Sequence, residues 1–76
     1  VAPSLVELMR LDAEGFRKRF KGTPIVRTKR RGLLRNVAVA LGNWGDPSAL
    51  PVLDAALKDE EALIREHAQW AIEKID

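Results

Sequence analysis

The sequence predicts an all-α domain of about five short helices arranged in antiparallel pairs. Three observations carry this. Apolar residues recur at three- and four-residue spacing along most of the chain, no stretch reads as a strand, and Gly and Pro sit where helices start or stop. The 76 residues make one small domain with a thin core, because a chain this short buries only about 60% of its unfolded surface.

Each element follows from local signals. Pro3 suits the first turn of a short helix whose Leu5, Leu8 and Met9 repeat at helical spacing. Asp12 is placed to cap a second helix over 13–21, in which Phe16 and Phe20 lie four apart and share a face. Gly15 weakens that helix by roughly 1 kcal/mol relative to alanine, and Gly22 fits its stop. Thr23-Pro24-Ile25-Val26 reads as an extended link, since the residue before a proline avoids the helical region.

A third helix is expected from Thr28 or Lys29 to Leu41. Leu34, Val37, Ala38 and Leu41 form its buried stripe, and Gly42 closes it. Asn43-Trp44-Gly45-Asp46-Pro47 is dense in turn formers and ends in a plausible cap. A fourth helix over 48–58 turns Leu50, Leu53 and Leu57 inward. Pro51 is tolerable there only within the first turn, which makes Ser48 the expected cap. Asp59, Glu60 and Glu61 place acid where the dipole of a last helix favours it, and Ile64, Ala68, Ala71 and Ile75 are its inner stripe.

Composition removes whole classes of function. The chain has no cysteine, so it can form neither a disulfide nor a thiolate metal site, and its single histidine excludes a histidine-rich zinc site. No apolar run approaches the roughly 20 residues that cross a bilayer. A cysteine-free chain fits a cytoplasmic setting, and the opening valine fits an excised or processed piece of a larger protein. His67 reads as a packed or half-exposed residue. The acids at 59–61 form no acid/base pair, because so small a domain implies no cleft around them. No catalytic or metal-binding residue is therefore assigned.

The third and fifth helices resemble each other. A shift of 30 overlays Leu33-Leu34-Arg35 on Leu63-Ile64-Arg65, Ala38 on Ala68 and Asp46 on Asp76. Helical pairs repeating at such a period indicate a HEAT-repeat-like α-solenoid fragment. In such repeats this arginine often pairs with an acid near the preceding turn. That structural reading suits Arg65, which lies among acids, while Arg35 lies among bases and stays open. The resulting organisation is a single domain over 1–76, with a helical lead-in at 1–22, a basic linker and helix at 23–46 and a closing pair at 47–76.

At Phe20-Lys21-Gly22-Thr23-Pro24-Ile25 and at Arg30-Arg31-Gly32-Leu33-Leu34-Arg35-Asn36-Val37-Ala38-Val39-Ala40-Leu41-Gly42-Asn43, the sequence resembles the C-terminal part of bacterial tRNA epoxyqueuosine reductases. The resemblance extends over essentially the whole chain. It implies a parent oxidoreductase that completes queuosine at the tRNA wobble position, using cobalamin and two 4Fe-4S clusters held by cysteines of an upstream domain. None of those cysteines exists in this sequence. The segment is therefore expected to be a non-catalytic accessory domain with no cofactor of its own. Its expected partners are the tRNA anticodon stem-loop and the upstream catalytic domain, with no membrane, and it is expected to be monomeric. The alternative is a HEAT-like protein-interaction scaffold with no nucleic-acid role.

Charge is lopsided. Residues 1–38 hold ten Lys/Arg against three Asp/Glu (+7), and residues 39–76 hold three against eight (−5), within a net +2. Arg27, Lys29, Arg30, Arg31 and Arg35 put five cations in nine residues, with Lys21 and the run Arg17-Lys18-Arg19 upstream. Arginine forks can hold phosphates bidentately, and such contacts weaken steeply with salt. Lys21, Arg27, Lys29, Arg30, Arg31 and Arg35 are the candidate nucleic-acid-binding residues; the bland reading is a solvated basic face. Trp44, expected in a turn, could stack on a base or cover helix ends. Trp70 reads as core or packing edge, and Asn36 and Asn43 as partners of nearby backbone.

Overall fold

A computed structural model of the chain describes residues 2–76, with side chains from residue 5 onward. Helix α1 (Ala2–Met9) has Pro3 in its first turn, where a missing N–H has no partner to lose. Helix α2 (Ala13–Phe20) starts at the expected cap, the Asp12 carboxylate accepting the Gly15 N–H at 2.7 Å. Its Phe16 and Phe20 rings meet at 5.2 Å between centroids. Gly22 follows it with φ +78°, a conformation that costs glycine little.

The link after Gly22 is not extended. Thr23 is (φ −109°, ψ 157°), but Pro24–Thr28 forms a 3-10 turn. The steric bias of a proline acts on the residue before it, while its own fixed φ suits the first position of a helical turn.

Helix α3 (Lys29–Trp44) runs through the expected stop at Gly42 and ends at Gly45, whose φ is +78° and whose N–H bonds the Leu41 carbonyl at 3.1 Å. Gly42 serves packing instead: a Cβ there would lie 2.8 Å from the Trp70 ring and 3.1 Å from Ala71 Cα. A second 3-10 turn (Pro47–Ala49) precedes helix α4 (Leu50–Ala56). Asp46, and not Ser48, is the side-chain cap, because its carboxylate accepts the Ser48 N–H at 2.8 Å. Pro51 falls in the first turn of α4, as its chemistry requires. Helix α5 (Ala62–Ile75) closes the chain. All described regular elements are helical, so the fold is all-α.

One apolar cluster joins Met9 of α1, Leu34, Val37, Ala38 and Leu41 of α3, Val52 and Leu53 of α4, and Ile64, Ala68 and Ala71 of α5. Helix directions follow from contacts near their ends. Arg30, at the start of α3, bonds Asp59, just before α5, and Gly42, near the end of α3, packs on Ala71, near the end of α5. The two long helices therefore run side by side in the same direction. Helix α4 returns antiparallel between them in sequence. The Leu11 carbonyl accepts from Arg30, which brings the end of α1 to the start of α3 and makes that pair antiparallel too. Two antiparallel pairs with parallel second members are compatible with a HEAT-like stack.

This arrangement puts α1 in the core. Residues 10–28, with α2 and the first 3-10 turn, form an excursion between the two helices of the first pair. Phe16 is buried but lies outside the main apolar cluster.

Candidate nucleic-acid interface

The six cations singled out in the sequence are distributed over three elements. Lys21 caps the end of α2, Arg27 lies in the first 3-10 turn, and Lys29, Arg30, Arg31 and Arg35 belong to α3. Arg31 and Arg35 share a helical flank one turn apart. Arg27 does not extend that row, because the chain changes direction between it and α3. The change occurs at Lys29, whose φ of 65° and ψ of 157° lie in a region that side chains rarely occupy. Such a conformation costs on the order of 1–3 kcal/mol and persists only where the surroundings impose it. Lys21, Arg27, Lys29, Arg31 and Arg35 are all exposed.

Arg30 differs from the rest. Its Nε donates to the Leu11 carbonyl at 2.7 Å, Nη1 donates to Asp59 Oδ1 at 3.1 Å, and Nη2 pairs with Asp59 Oδ2. The two side chains are only 18% and 12% exposed. The planar fork thus ties the end of the α1 segment, the start of α3 and the α4–α5 turn together. Asp59 also accepts the Glu61 N–H at 2.9 Å. The Arg30 guanidinium, assisted by that N–H, holds the Asp59 carboxyl below its usual range against the opposing effect of burial. Arg65 donates to the Asp59 backbone carbonyl at 2.6 Å, so it is tied to the turn before its helix through the main chain and not through the carboxylate pairing expected of it. Two arginines thus converge on one aspartate, and Arg30 has no free donor edge comparable to that of its neighbours.

Sequence reasoning gave less weight to α2. Arg17 and Lys18 are exposed and line a surface depression with Lys21, Gly22 and Val26. Their separation from α3 in the sequence concealed that the 3-10 turn packs against both helices. Contrary to the expectation that so small a domain leaves no cleft around the acids at 59–61, a cleft of about 450 Å³ lies beside the start of α3, between that helix and the α4–α5 turn. There Lys29, Arg31 and Lys58 face Asp12, Asp59, Glu60 and Glu61.

The remaining candidates sort plainly. Trp44 is the last residue of α3, not a turn residue, and is 42% exposed. Trp70 lies against Gly42 at the edge of the α3–α5 contact, and the Lys74 ammonium sits 6.0 Å from its ring. The half-buried His67 has Nδ1 2.8 Å from the Leu63 carbonyl of its own helix. Asn36 and Asn43 are exposed. Among the described residues no group of His, Asp or Glu side chains could hold a metal ion, and none of the helices is long and apolar enough to cross a membrane.

Against known proteins, the match is specific. An Escherichia coli (strain K12) protein named epoxyqueuosine reductase is 44% identical over 73 residues, which is 93% of this chain. The chain is homologous to a segment of the epoxyqueuosine reductases. The Pseudomonas aeruginosa reductase is 42% identical over 74 residues and that of Xanthomonas campestris 40% over 70, covering 92% and 91% of the chain. The chain spans about a fifth of the length of these reductases, 19–20%. No family model and no solved structure matches it. An iron–sulfur cluster of the kind the family resemblance implies would find no thiolate ligand in this cysteine-free segment.

Proposed function

We propose that this chain is the C-terminal, HEAT-like helical domain of a cytoplasmic tRNA epoxyqueuosine reductase. In this reading it binds the tRNA anticodon stem-loop by its phosphates, while cobalamin and iron–sulfur chemistry belongs to the rest of the parent. The observation that carries the reading is a set of exposed cations on α2, the first 3-10 turn and the start of α3, in a chain about 40% identical to a fifth of proteins bearing that name. RNA held this way is recognised by shape and backbone. Exposed arginine and lysine give affinity that falls with salt, because each phosphate neutralised releases counterions. Lys21, Arg27, Lys29, Arg31 and Arg35 are the contacts assigned from the original set. Arg30 is reassigned to holding the α3 start in place, since its donors are engaged by Leu11 and Asp59.

A second reading has its own support. Ile25, Val26, Trp44 and Trp70 are each about 40% exposed, and large apolar side chains at a surface suit docking of protein, here the upstream catalytic domain. An NMR titration of the isotope-labelled chain separates the two. An anticodon stem-loop and an unrelated hairpin are added at two salt concentrations. Salt-sensitive shifts at residues 17–35, larger for the anticodon loop, are expected. Absence of shifts at low salt in the folded chain defeats the RNA reading and favours the scaffold.

A further inference from the structure

The basic residues do not border equivalent surfaces. At the start of α3, Arg31 lines a cleft shared with Asp12, Asp59, Glu60 and Glu61, and Lys29 borders both that cleft and the surface described next. A phosphate entering there meets four carboxylates as well as the cations. The surface between α2 and the first 3-10 turn is different. One depression, of about 420 Å³, is lined by Arg17, Lys18, Lys21, Gly22 and Val26. A second, of about 350 Å³, involves Phe16, Arg17, Val26 and Lys29. The two share Arg17 and Val26 and so adjoin on one face, here called the groove, and no carboxylate lines either part.

We propose that this groove, with Arg17 at its centre, is the principal RNA-backbone site of the domain, ahead of the Arg31–Arg35 flank of α3. The proposal rests on the phosphate-binding reading above and adds Arg17 and Lys18 to it. The occupant is a phosphodiester segment, for reasons of charge and shape. Arg17, Lys18, Lys21 and Lys29 supply four cations to the lining, and Val26, which is 39% exposed, with the buried Phe16 supplies its large apolar part. A sugar or a base face can rest on that apolar part while adjacent phosphates reach the cations. Each depression falls within the volume range of small-ligand sites, roughly 300–1,000 Å³. A protein segment would have to bring its own acids to satisfy the same cations, whereas RNA presents one negative charge per nucleotide.

Arg19 helps define the boundary. Its guanidinium lies 6.0 Å from the Phe20 ring and lines neither depression. Arg17 and Lys21, one helical turn apart, line the groove together. Gly22, with its positive φ, then turns the chain into the 3-10 segment that supplies Val26.

The test compares two double variants of the 76-residue chain by fluorescence anisotropy with a labelled anticodon stem-loop, over a series of salt concentrations. Arg17→Gln with Lys18→Gln is expected to weaken binding about tenfold or more and to reduce the salt slope by about two. Arg31→Gln with Arg35→Gln is expected to weaken it less. Val26→Glu, which removes no cation but puts a carboxylate in the groove, is expected to act like the α2 pair. These residues are exposed, and thermal melts check that each variant is folded. Wild-type affinity in the α2 pair, or a loss no larger than in the α3 pair, overturns the groove while leaving the RNA reading intact. Failure of the unaltered chain to bind at low salt overturns both.

Discussion

Asp59 joins the start of α3 to the start of α5 through both its side chain and its backbone. Its carboxylate receives the Arg30 fork and the Glu61 N–H, and its carbonyl receives Arg65. Replacing it by asparagine leaves Arg30 partly desolvated beside a neutral amide, which costs more than a surface pair would. Asp59→Asn is expected to destabilise the fold by about 2 kcal/mol, lowering Tm by roughly 10 °C for a domain of this size. The pH dependence has a definite direction. Because the folded-state carboxyl titrates below its unfolded value, its contribution is present above about pH 4 and lost as pH falls through the folded-state pKa. Thermal melts between neutral and acid pH should therefore converge for the wild type and Asp59→Asn. A difference that persists unchanged in acid would mean that Asp59 acts through packing alone.

Helix α3 shows what a sequence can and cannot disclose about an element. Its stripe of Leu34, Val37, Ala38 and Leu41 was legible, because the period of an amphipathic helix is written locally. Its end was not, because Gly42 looks like a stop until the partner helix is in place. What Gly42 accommodates is Trp70 and Ala71. Gly42→Ala raises intrinsic helix propensity by about 1 kcal/mol but places a methyl 2.8 Å from the Trp70 ring and 3.1 Å from Ala71 Cα. Overpacking of that kind costs about 1–3 kcal/mol, so the expected net effect is a Tm several degrees lower, read by circular dichroism. A higher Tm would mean the α3–α5 contact yields easily. The candidate site divides in the same way. Five of the six cations named from sequence are exposed as expected. Arg30 could not be separated from them, since its partners Leu11 and Asp59 are 19 and 29 residues away. Arg17 and Lys18 were under-weighted because nothing local announces that the turn after α2 folds back against it.

Across the whole molecule, the proposed principal binding groove and the apolar core draw on largely different elements, with α3 serving both. The apolar cluster draws on α1, α3, α4 and α5, while α2 and the first 3-10 turn stand outside it and hold Arg17, Lys18, Arg19, Lys21 and Arg27. Six of the ten cations in the positive half of the sequence therefore lie in an excursion from a helical core. The two ends of that excursion are close, because the Leu11 carbonyl lies 2.7 Å from the Arg30 side chain. A short Gly/Ser segment can replace residues 13–28 without the long closure that usually penalises such a deletion. Phe16 loses its burial with the segment, but its ring belongs to no part of the main cluster. The shortened chain is expected to keep a cooperative thermal transition and the helical signal of its four remaining helices, while its affinity for the anticodon stem-loop falls at least tenfold and loses most of its salt dependence. Circular dichroism reads the first and anisotropy the second. A chain that fails to fold would place α2 in the core despite its packing, and one that folds and binds as before would move the RNA contacts to the α3 flank or beyond.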